Sequence, residues 1–181
     1  MGSEMCIRDR YAGVAGGADI ILLPEIPYDI DKVVDAIHKR TKEGKGFTIL
    51  AVAEGAISKE DAALSKKEYK KKLAKSKYPS VSYEVADRIS ERLGLEVRVA
   101  VPGHTQRGGS PDPYDRVISS LFGAEAVELI KNKDFGKLVV MRNNEVTAIP
   151  MEESAGKLKY VSPDDSVVKY AKRLGISFGD E

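Results

Sequence analysis

Two short apolar runs on either side of an amphipathic segment constrain the fold of this chain more than any other feature. Residues 19–23 and 47–53 are apolar on both faces and rich in β-branched side chains, which is typical of strands buried in a parallel sheet. Between them, Asp29 and Asp31 can cap a helix that ends near Gly44. A strand, a helix and a second strand in about 35 residues form the crossover unit of an α/β sheet. The sequence therefore predicts an α/β fold, a parallel-sheet three-layer sandwich.

A second α/β unit follows. Residues 82–93 have helical spacing of apolar side chains and stop at Gly94, and residues 96–101 have the β-branched composition of a strand. The next helix begins at 113 and runs to 130. This order predicts that the connecting loop, residues 102–112, lies at the carboxyl end of a strand, where α/β folds bind ligands.

The remaining segments complete the predicted architecture. Residues 137–141 and 145–149, joined by two asparagines, favour a small hairpin near the C-terminus, and residues 163–175 favour a last helix. The polar stretch 57–80 interrupts the alternation and is interpreted as an insertion outside the sheet. Its lysine-dense part, 66–77, reads as a solvated helix face. A contact with a phosphate backbone, an anionic ligand or an acidic partner subunit is the alternative.

Composition excludes several classes of protein. The single cysteine, Cys6, rules out an internal disulfide framework and fits a reducing, cytoplasmic compartment. Together with His38 and His104 it cannot complete a tetrahedral zinc site without carboxylate ligands, which argues against a structural zinc. The apolar runs, such as 20–23, are far too short to cross a membrane. A net charge of +1 argues against a nucleic-acid or membrane partner.

The loop at 102–112 carries the clearest chemical signal. His104 and Arg107 lie three residues apart beside Gly108 and Gly109, which can adopt positive φ and bring backbone N–H groups close to a ligand. The planar guanidinium of Arg107 can donate two hydrogen bonds to one phosphate. The loop therefore predicts a phosphate-ester site. The alternative is a Gly-Pro turn with polar surface residues.

Four blocks in one order closely resemble the C-terminal half of the 6-phosphofructokinase family: residues 15–25, 49–55, 98–111 and 113–116. The third block is the most specific, because it contains His-Thr-Gln-Arg-Gly-Gly-Ser-Pro and is followed at once by Pro-Tyr-Asp-Arg. The resemblance is strong over residues 11–131 and weaker to the C-terminus, where the tail is similar to a branch that mixes ATP-dependent and pyrophosphate-dependent members.

The resemblance implies a set of substrate-binding residues. Glu54 would hold hydroxyls of fructose 6-phosphate, and Arg98, His104 and Arg107 would bind its 6-phosphate, with Arg98 reaching into a neighbouring subunit. The full implied set is Glu54, Arg98, His104, Thr105, Gln106 and Arg107. Tyr114, Asp115 and Arg116 are expected to shape the start of the helix rather than to touch substrate.

The family's phosphoryl-donor site, its Gly-Gly-Asp magnesium loop and its Thr-x-Asp general-base segment precede the region that matches this chain. We therefore expect no catalytic and no metal-binding residue here, and no activity from these residues alone. The resemblance implies a glycolytic kinase with Mg²⁺ and ATP, active as a cytoplasmic homodimer or homotetramer. A pyrophosphate-dependent enzyme and a non-catalytic sugar-phosphate-binding or regulatory subunit remain alternatives.

Two regions depart from the family. In residues 1–10 the segment from Glu4 to Arg10 matches nothing and resembles translated sequencing-adapter sequence, so these residues are interpreted as a foreign leader before a domain at 11–181. At the family's effector site only Asp19 and Lys45 remain as possible remnants. We therefore expect nucleotide allostery to be weak or absent.

Overall fold

The computed structural model describes residues 3–157 and 160–181, which divide into two compact units. Unit 1 contains the described residues up to Ala100 together with those from Tyr160 to the C-terminus, and unit 2 contains Val101–Lys157.

The centre of unit 1 is the predicted crossover. Strand β1 (Ile20–Leu22) pairs in parallel with β2 (Leu50–Val52), and Ile20 lies opposite Leu50. Helix α2 (Ile30–Lys42) connects them. The Asp29 carboxylate accepts a hydrogen bond from the Asp31 backbone N–H at 2.9 Å, so the helix begins at its predicted cap. The strand-helix-strand prediction is confirmed.

The C-terminal tail extends this sheet on the other side of β1. The Ile21 N–H donates to the Ser177 carbonyl at 2.9 Å, and the Ser177 N–H donates to the Asp19 carbonyl at 3.0 Å. Ser177 therefore forms a parallel bridge with β1. Helix α7 (Ser166–Arg173) leads into this tail and is shorter than the predicted 163–175.

Helices cover both faces of the strands. On one face Ile21, Leu23 and Phe178 form a core with residues of α1 (Ser3–Ala15) and α7. On the other face Ile20 and Leu22 pack with residues of α2 and α5 (Val81–Leu93). A short parallel sheet with helices on both faces is the predicted α/β arrangement.

The polar stretch after β2 folds into two surface helices, α3 (Lys59–Ala62) and α4 (Lys66–Lys75), neither of which has a buried residue. Ser65 and Glu68 form a capping box at the start of α4. The Lys72 ammonium lies 2.6 Å from the Asp61 carboxylate, which ties α4 to α3. The lysine-dense segment is thus helical and exposed, as predicted, and its alternative role as a contact for an anion or an acidic partner stays a prediction.

The predicted strand at 96–101 is wrong. Residues 94–102 contain no regular element, and a cavity of about 690 Å³ lies between this segment and β2. Val97 and Val99 alternate with charged residues, as in a strand. Such a pattern indicates only that the side chains would fit a half-buried sheet surface. The preference is not realised here because the segment makes no backbone pairing with the edge of β2.

Unit 2 contains α6 (Pro113–Lys131) and an antiparallel hairpin of β3 (Lys137–Arg142) and β4 (Glu145–Pro150). Asn143 and Asn144 form the turn with φ of 52° and 63°. Asparagine tolerates this left-handed conformation, so the predicted hairpin is confirmed.

Candidate functional site

The phosphate-site candidates of unit 2 lie on one short turn. Gly103–Arg107 forms a 3₁₀ helix, which is held by a hydrogen bond from the Thr105 N–H to the Pro102 carbonyl at 3.0 Å. The Thr105 hydroxyl donates to the same carbonyl. The side chains of His104, Thr105 and Gln106 are exposed. The turn therefore presents an imidazole, a hydroxyl and an amide to solvent from three consecutive residues.

Glycine opens this turn, but not at both predicted positions. Gly103 has φ of 50° and Gly109 has φ of 97°, whereas Gly108 has φ of −88°. Only Gly109 of the predicted pair thus needs the freedom of glycine. Because Gly103 and Gly109 have no side chains, the backbone at both ends of the turn is open to a ligand.

The start of α6 fixes the far end of the loop. The Asp112 carboxylate accepts from the Asp115 N–H at 2.9 Å, and the Asp115 carboxylate accepts from the Asp112 N–H at 3.2 Å. The Arg116 guanidinium donates to the Pro111 carbonyl at 3.2 Å. Asp115 and Arg116 therefore shape the helix start, as the sequence predicts.

For Arg107 the structure describes the backbone but not the side chain. Its backbone closes the 3₁₀ turn, followed by a hydrogen bond from the Gly108 N–H to the Thr105 carbonyl at 3.3 Å. The predicted pairing of the Arg107 and His104 side chains on one phosphate therefore stays a prediction.

Glu54 lies in unit 1 immediately after β2 and is exposed. The Ala53 N–H donates to the Leu22 carbonyl at 2.9 Å, and the Ala56 N–H donates to the Ala53 carbonyl at 2.9 Å. The resulting tight turn holds Glu54 at the carboxyl end of β2. Burial raises the pKa of the nearby Asp9 carboxyl; contact with Arg8 opposes this rise and the charge of Glu54 adds to it.

Arg98 and Lys45 both line the 690 Å³ cavity of unit 1. Its walls are otherwise mainly apolar side chains of α2, β2 and α5. Arg98 donates from Nε to Glu96 at 2.9 Å and its side chain is 87% exposed. The structure thus brings a predicted substrate residue and a predicted effector remnant to one cavity, and Glu54 is not part of its lining.

The carboxylate of Asp19 makes two contacts that hold elements of unit 1 together. Its Oδ2 accepts from the Ile49 N–H at 2.8 Å, and its Oδ1 lies 2.9 Å from the Arg40 guanidinium. These contacts join the starts of β1 and β2 and attach α2 to both. The carboxylate is therefore engaged by the chain itself at the position where the sequence suggests an effector remnant.

Sequence reasoning gave no role to Glu25, which the structure distinguishes. Its Oε1 accepts from the Val161 N–H at 3.1 Å, and its Oε2 is buried without a hydrogen-bond partner among the described residues. The sequence feature that could have drawn attention to Glu25 is its position between two prolines directly after β1, where the chain leaves the sheet.

The predicted site residues fall into two groups. Glu54 and Arg98 belong to unit 1, and His104, Thr105 and Gln106 belong to unit 2. Within residues 3–157 and 160–181, no three acidic, histidine or cysteine side chains are grouped closely enough to hold a metal ion. In the same described ranges no helix has the length and apolar character needed to span a membrane. The exposed groups can donate hydrogen bonds to an anion and accept them from hydroxyls.

Comparison with known proteins identifies relatives. The Phosphofructokinase family model matches residues 1–130. The chain is 50% identical over 170 residues to an ATP-dependent 6-phosphofructokinase of Spirochaeta thermophila, covering 94% of this chain and 46% of that protein. It is 41% identical over 169 residues to ATP-dependent 6-phosphofructokinase 3 of Bacteroides thetaiotaomicron, covering 93% and 45%. The chain thus spans about half the length of these curated relatives.

Solved structures agree. The crystal structure of Pichia pastoris phosphofructokinase in the T-state superposes with a TM-score of 0.61 at 32% identity, over 84% of this chain and 16% of that one. A pyrophosphate-dependent phosphofructokinase from Marinobacter aquaeolei superposes with a TM-score of 0.65 over 98% of this chain and 46% of that one. At 17% identity the second likeness concerns the fold alone.

Proposed function

The chain belongs to the phosphofructokinase family, and from this premise we propose that it forms the fructose 6-phosphate-binding part of an ATP-dependent 6-phosphofructokinase. The complete enzyme would transfer a phosphoryl group to the 1-hydroxyl of fructose 6-phosphate in cytoplasmic glycolysis.

The turn at 103–107 is the observation that carries this proposal. It exposes His104, Thr105 and Gln106 between glycines of positive φ, and the capped start of α6 fixes its far end. Exposed donors on a backbone with little side-chain cover suit a phosphate ester, whose dianion accepts charge-assisted hydrogen bonds. In the proposed complex Arg107 adds its guanidinium to the same phosphate.

Glu54 would hold the sugar. An ionised carboxylate accepts hydrogen bonds from two hydroxyls, and the turn after β2 leaves this side chain exposed. Arg98 would bind the 6-phosphate of a neighbouring subunit in a homodimer or homotetramer, which its 87% exposed side chain allows. Asp19 and Lys45 would give at most weak effector binding, because Asp19 is already engaged by Arg40 and Ile49.

The phosphoryl donor in this proposal is ATP, because the curated relatives are named ATP-dependent. Pyrophosphate has weaker support, from structures that share only the fold. Mg²⁺ would neutralise the donor phosphates, but the described residues form no cluster that fits a metal ion. We therefore expect the 181-residue chain alone to bind substrate without transferring phosphate.

Replacing Arg107 tests the phosphate contact. In a complete enzyme in which residues 11–181 replace the matching part of the Spirochaeta thermophila relative, we expect Arg107→Ala to raise KM for fructose 6-phosphate by about tenfold or more. The physical reason is the loss of a charge-assisted hydrogen bond, roughly 1.5 to 3 kcal/mol. Steady-state kinetics with a coupled assay measures this change.

Arg142→Ala is the matched control, because Arg142 is an exposed arginine of the same unit and, within the described residues, its ion pair is with Glu153 at 3.2 Å. It should leave KM within about twofold, since exposed ion pairs contribute little. Equal effects of the two substitutions, or an unchanged KM for Arg107→Ala, would show that the loop is structural. A fully assembled chimera that binds fructose 6-phosphate without turnover would favour the non-catalytic binding subunit.

A further inference from the structure

One side of helix α4 consists almost entirely of lysines. Because an α-helix has 3.6 residues per turn, five lysines fall within one half of its circumference, and the sixth residue in that half is Ala74. The Lys72 ammonium lies in the other half, 2.6 Å from Asp61 and 4.0 Å from Glu84, so that half faces α3 and α5. The lysines therefore point away from the rest of unit 1. We call them the lysine face: Lys66, Lys67, Lys70, Lys71 and Lys75.

The lysine face has no counter-charge among the described residues. All five side chains are exposed, and none of them takes part in an ion pair there. The acidic groups near α4 already have partners: Glu60 lies 3.2 Å from Arg88, and Asp87 accepts from Lys77 at 3.4 Å. Glu68, the acidic residue of α4 itself, is engaged with Ser65 in the capping box. The positive charge of the face is therefore uncompensated within unit 1.

This arrangement is unfavourable for the helix itself. Lys67 and Lys71 are four residues apart, as are Lys71 and Lys75, and like charges at this spacing destabilise a helix. The capping box and the Lys72–Asp61 ion pair nevertheless hold α4 in place, and neither of them uses the lysine face. The helix thus presents its lysines in a fixed arrangement, and carboxylates bound against them would relieve the repulsion.

An exposed leucine adjoins the lysine face and indicates the kind of partner. Leu73 is 54% exposed and lies next to Lys66 and Lys70 on the helix surface. An apolar side chain beside ammonium groups suits a peptide that has both carboxylates and an apolar residue. Nucleic-acid surfaces instead use arginine forks and stacking aromatic rings, which the lysine face lacks.

The charge of the whole chain indicates that the partner segment is short. The chain carries a net charge of +1, and the lysine face carries +5, so the remaining residues carry −4. Attraction for an anion is therefore confined to α4, which is about 15 Å long, and a long polyanion would be repelled beyond it. A peptide segment of a few residues spans this length in extended form.

We propose that the lysine face and Leu73 bind a short acidic peptide segment of another protein, with carboxylates against the lysines and an apolar side chain against Leu73. This surface is separate from the residues to which we assign sugar-phosphate binding, and the inference does not depend on the phosphoryl donor. An interaction of this kind is weakened by salt, because the charges on both sides are exposed.

Fluorescence anisotropy of a labelled peptide tests the proposal. The probe is a peptide of about 12 residues, all glutamate except for a central leucine, and it is long enough to span α4. Binding is measured with the 181-residue chain and with the chimeric enzyme described above, in which turnover of fructose 6-phosphate reports correct folding. We expect saturable binding at about 20 mM salt that weakens severalfold at about 150 mM, and none with glutamine in place of glutamate.

Paired lysine substitutions locate the binding. Lys67→Gln with Lys71→Gln should weaken peptide binding about fivefold or more, whereas Lys67→Arg with Lys71→Arg keeps the charges and should retain it. The matched control is Lys32→Gln with Lys39→Gln, which removes the same charge from exposed positions of α2 and should stay within about twofold. The glutamine pair on α4 relieves like-charge repulsion, so its unfolding temperature should be equal or higher, which separates a binding defect from a folding defect.

Four outcomes overturn the proposal. They are no saturable binding of the acidic peptide, equal binding of the glutamine peptide, equal weakening by the α2 control pair, and tighter binding of a competing class of ligand. The competing ligands are a short DNA duplex and phosphatidylcholine vesicles with about 30% phosphatidylserine. Peptide binding by an assembled chimera without turnover would leave the acidic-peptide site standing and count against the proposed function.

Discussion

At the scale of single residues, unit 1 contains close packing contacts, such as that of Gly179 with Tyr28, that no sequence pattern predicts. Gly179 has φ of 70°, and a Cβ there would lie 2.9 Å from the Tyr28 Cβ and 3.0 Å from the Val33 Cγ2. Tyr28 itself is buried, and this burial raises its pKa to about 12. Both residues are buried although each is followed directly by an aspartate, Asp29 or Asp180.

Gly179→Ala should destabilise the protein by about 2 to 4 kcal/mol, because alanine is strained at positive φ and its methyl group would overlap Tyr28 and Val33. Gly17→Ala is the control: Gly17 also has φ of 70°, but a Cβ there would meet no atom within 4 Å. It should cost only the conformational strain, about 1 to 2 kcal/mol. Urea unfolding measures both, and equal losses would contradict the predicted overlap.

Arg10 offers a residue-scale test of the foreign-leader proposal. Arg10 is 8% exposed and its Nη1 lies 2.5 Å from the Asp165 Oδ1, but neither Nε nor Nη1 makes a well-angled hydrogen bond within the described residues. Contact with the Arg10 guanidinium lowers the pKa of the Asp165 carboxyl. A buried guanidinium with incomplete hydrogen bonding is costly to desolvate.

Arg10→Leu removes one partner of this ion pair and leaves Asp165 charged, so it should lower the free energy of unfolding near pH 7 by about 1 kcal/mol. Asp165 has a lowered pKa in the folded state, so its contribution is present above the unfolded-state value and is lost as pH falls through the folded one. The difference between the variant and the unmodified protein should accordingly shrink in acid. Denaturation curves at several pH values measure this, and a variant that is more stable at pH 7 would support the foreign-leader proposal.

At the scale of elements, local signals predicted most of the helices and turns correctly. The cap at Asp29 and the two asparagines of the hairpin act on neighbouring backbone, so their effect is readable from adjacent residues. The segment 96–101 shows the limit of this reasoning. Its β pattern is clear, but a strand also needs a partner edge, and pairing is decided by residues distant in sequence.

Asp112→Ala tests the capping of α6. Removing the carboxylate should destabilise unit 2 by about 1 kcal/mol, because the Asp115 N–H loses its acceptor at 2.9 Å. Hydrogen exchange of amides in the first turn of α6 reports the effect directly. Asp112→Asn keeps a capping oxygen and should exchange almost as slowly as the unmodified protein; fast exchange in both variants would mean that charge rather than capping stabilises this turn.

At the scale of the whole molecule, the two ends of the described chain meet in unit 1. Ser177 pairs with β1, Phe178 is fully buried in the core formed with α1 and α7, and the Lys59 ammonium donates to the Asp180 carbonyl at 3.3 Å. The Asp180 carboxylate also lies 2.6 Å from the Lys172 ammonium. The tail is therefore part of the sheet and the core of this unit.

Phe178→Ala should destabilise unit 1 by about 3 to 5 kcal/mol, because it leaves a cavity in the core. Phe135→Ala is the control, since Phe135 is 70% exposed in unit 2 and the same change should stay within about 0.5 kcal/mol. Equilibrium denaturation followed by circular dichroism measures both. If Phe178→Ala is unfolded at 25 °C, Phe178→Leu provides the same comparison with a smaller loss of stability. An unchanged free energy of unfolding for Phe178→Leu would contradict the role of the tail in the core.

The sequence by itself determined the α/β class, the crossover from β1 to β2, the hairpin, and the positive φ of Gly109 after the turn with His104, Thr105 and Gln106. These features depend on side-chain periodicity, caps and glycine freedom, which act over a few residues. Only the tertiary structure decided that Asp19 is engaged by Arg40, that 96–101 is not paired, and that Phe178 closes a core. Each of these depends on which distant surfaces meet, and burial and hydrogen bonding at such contacts are settled by the folded chain as a whole.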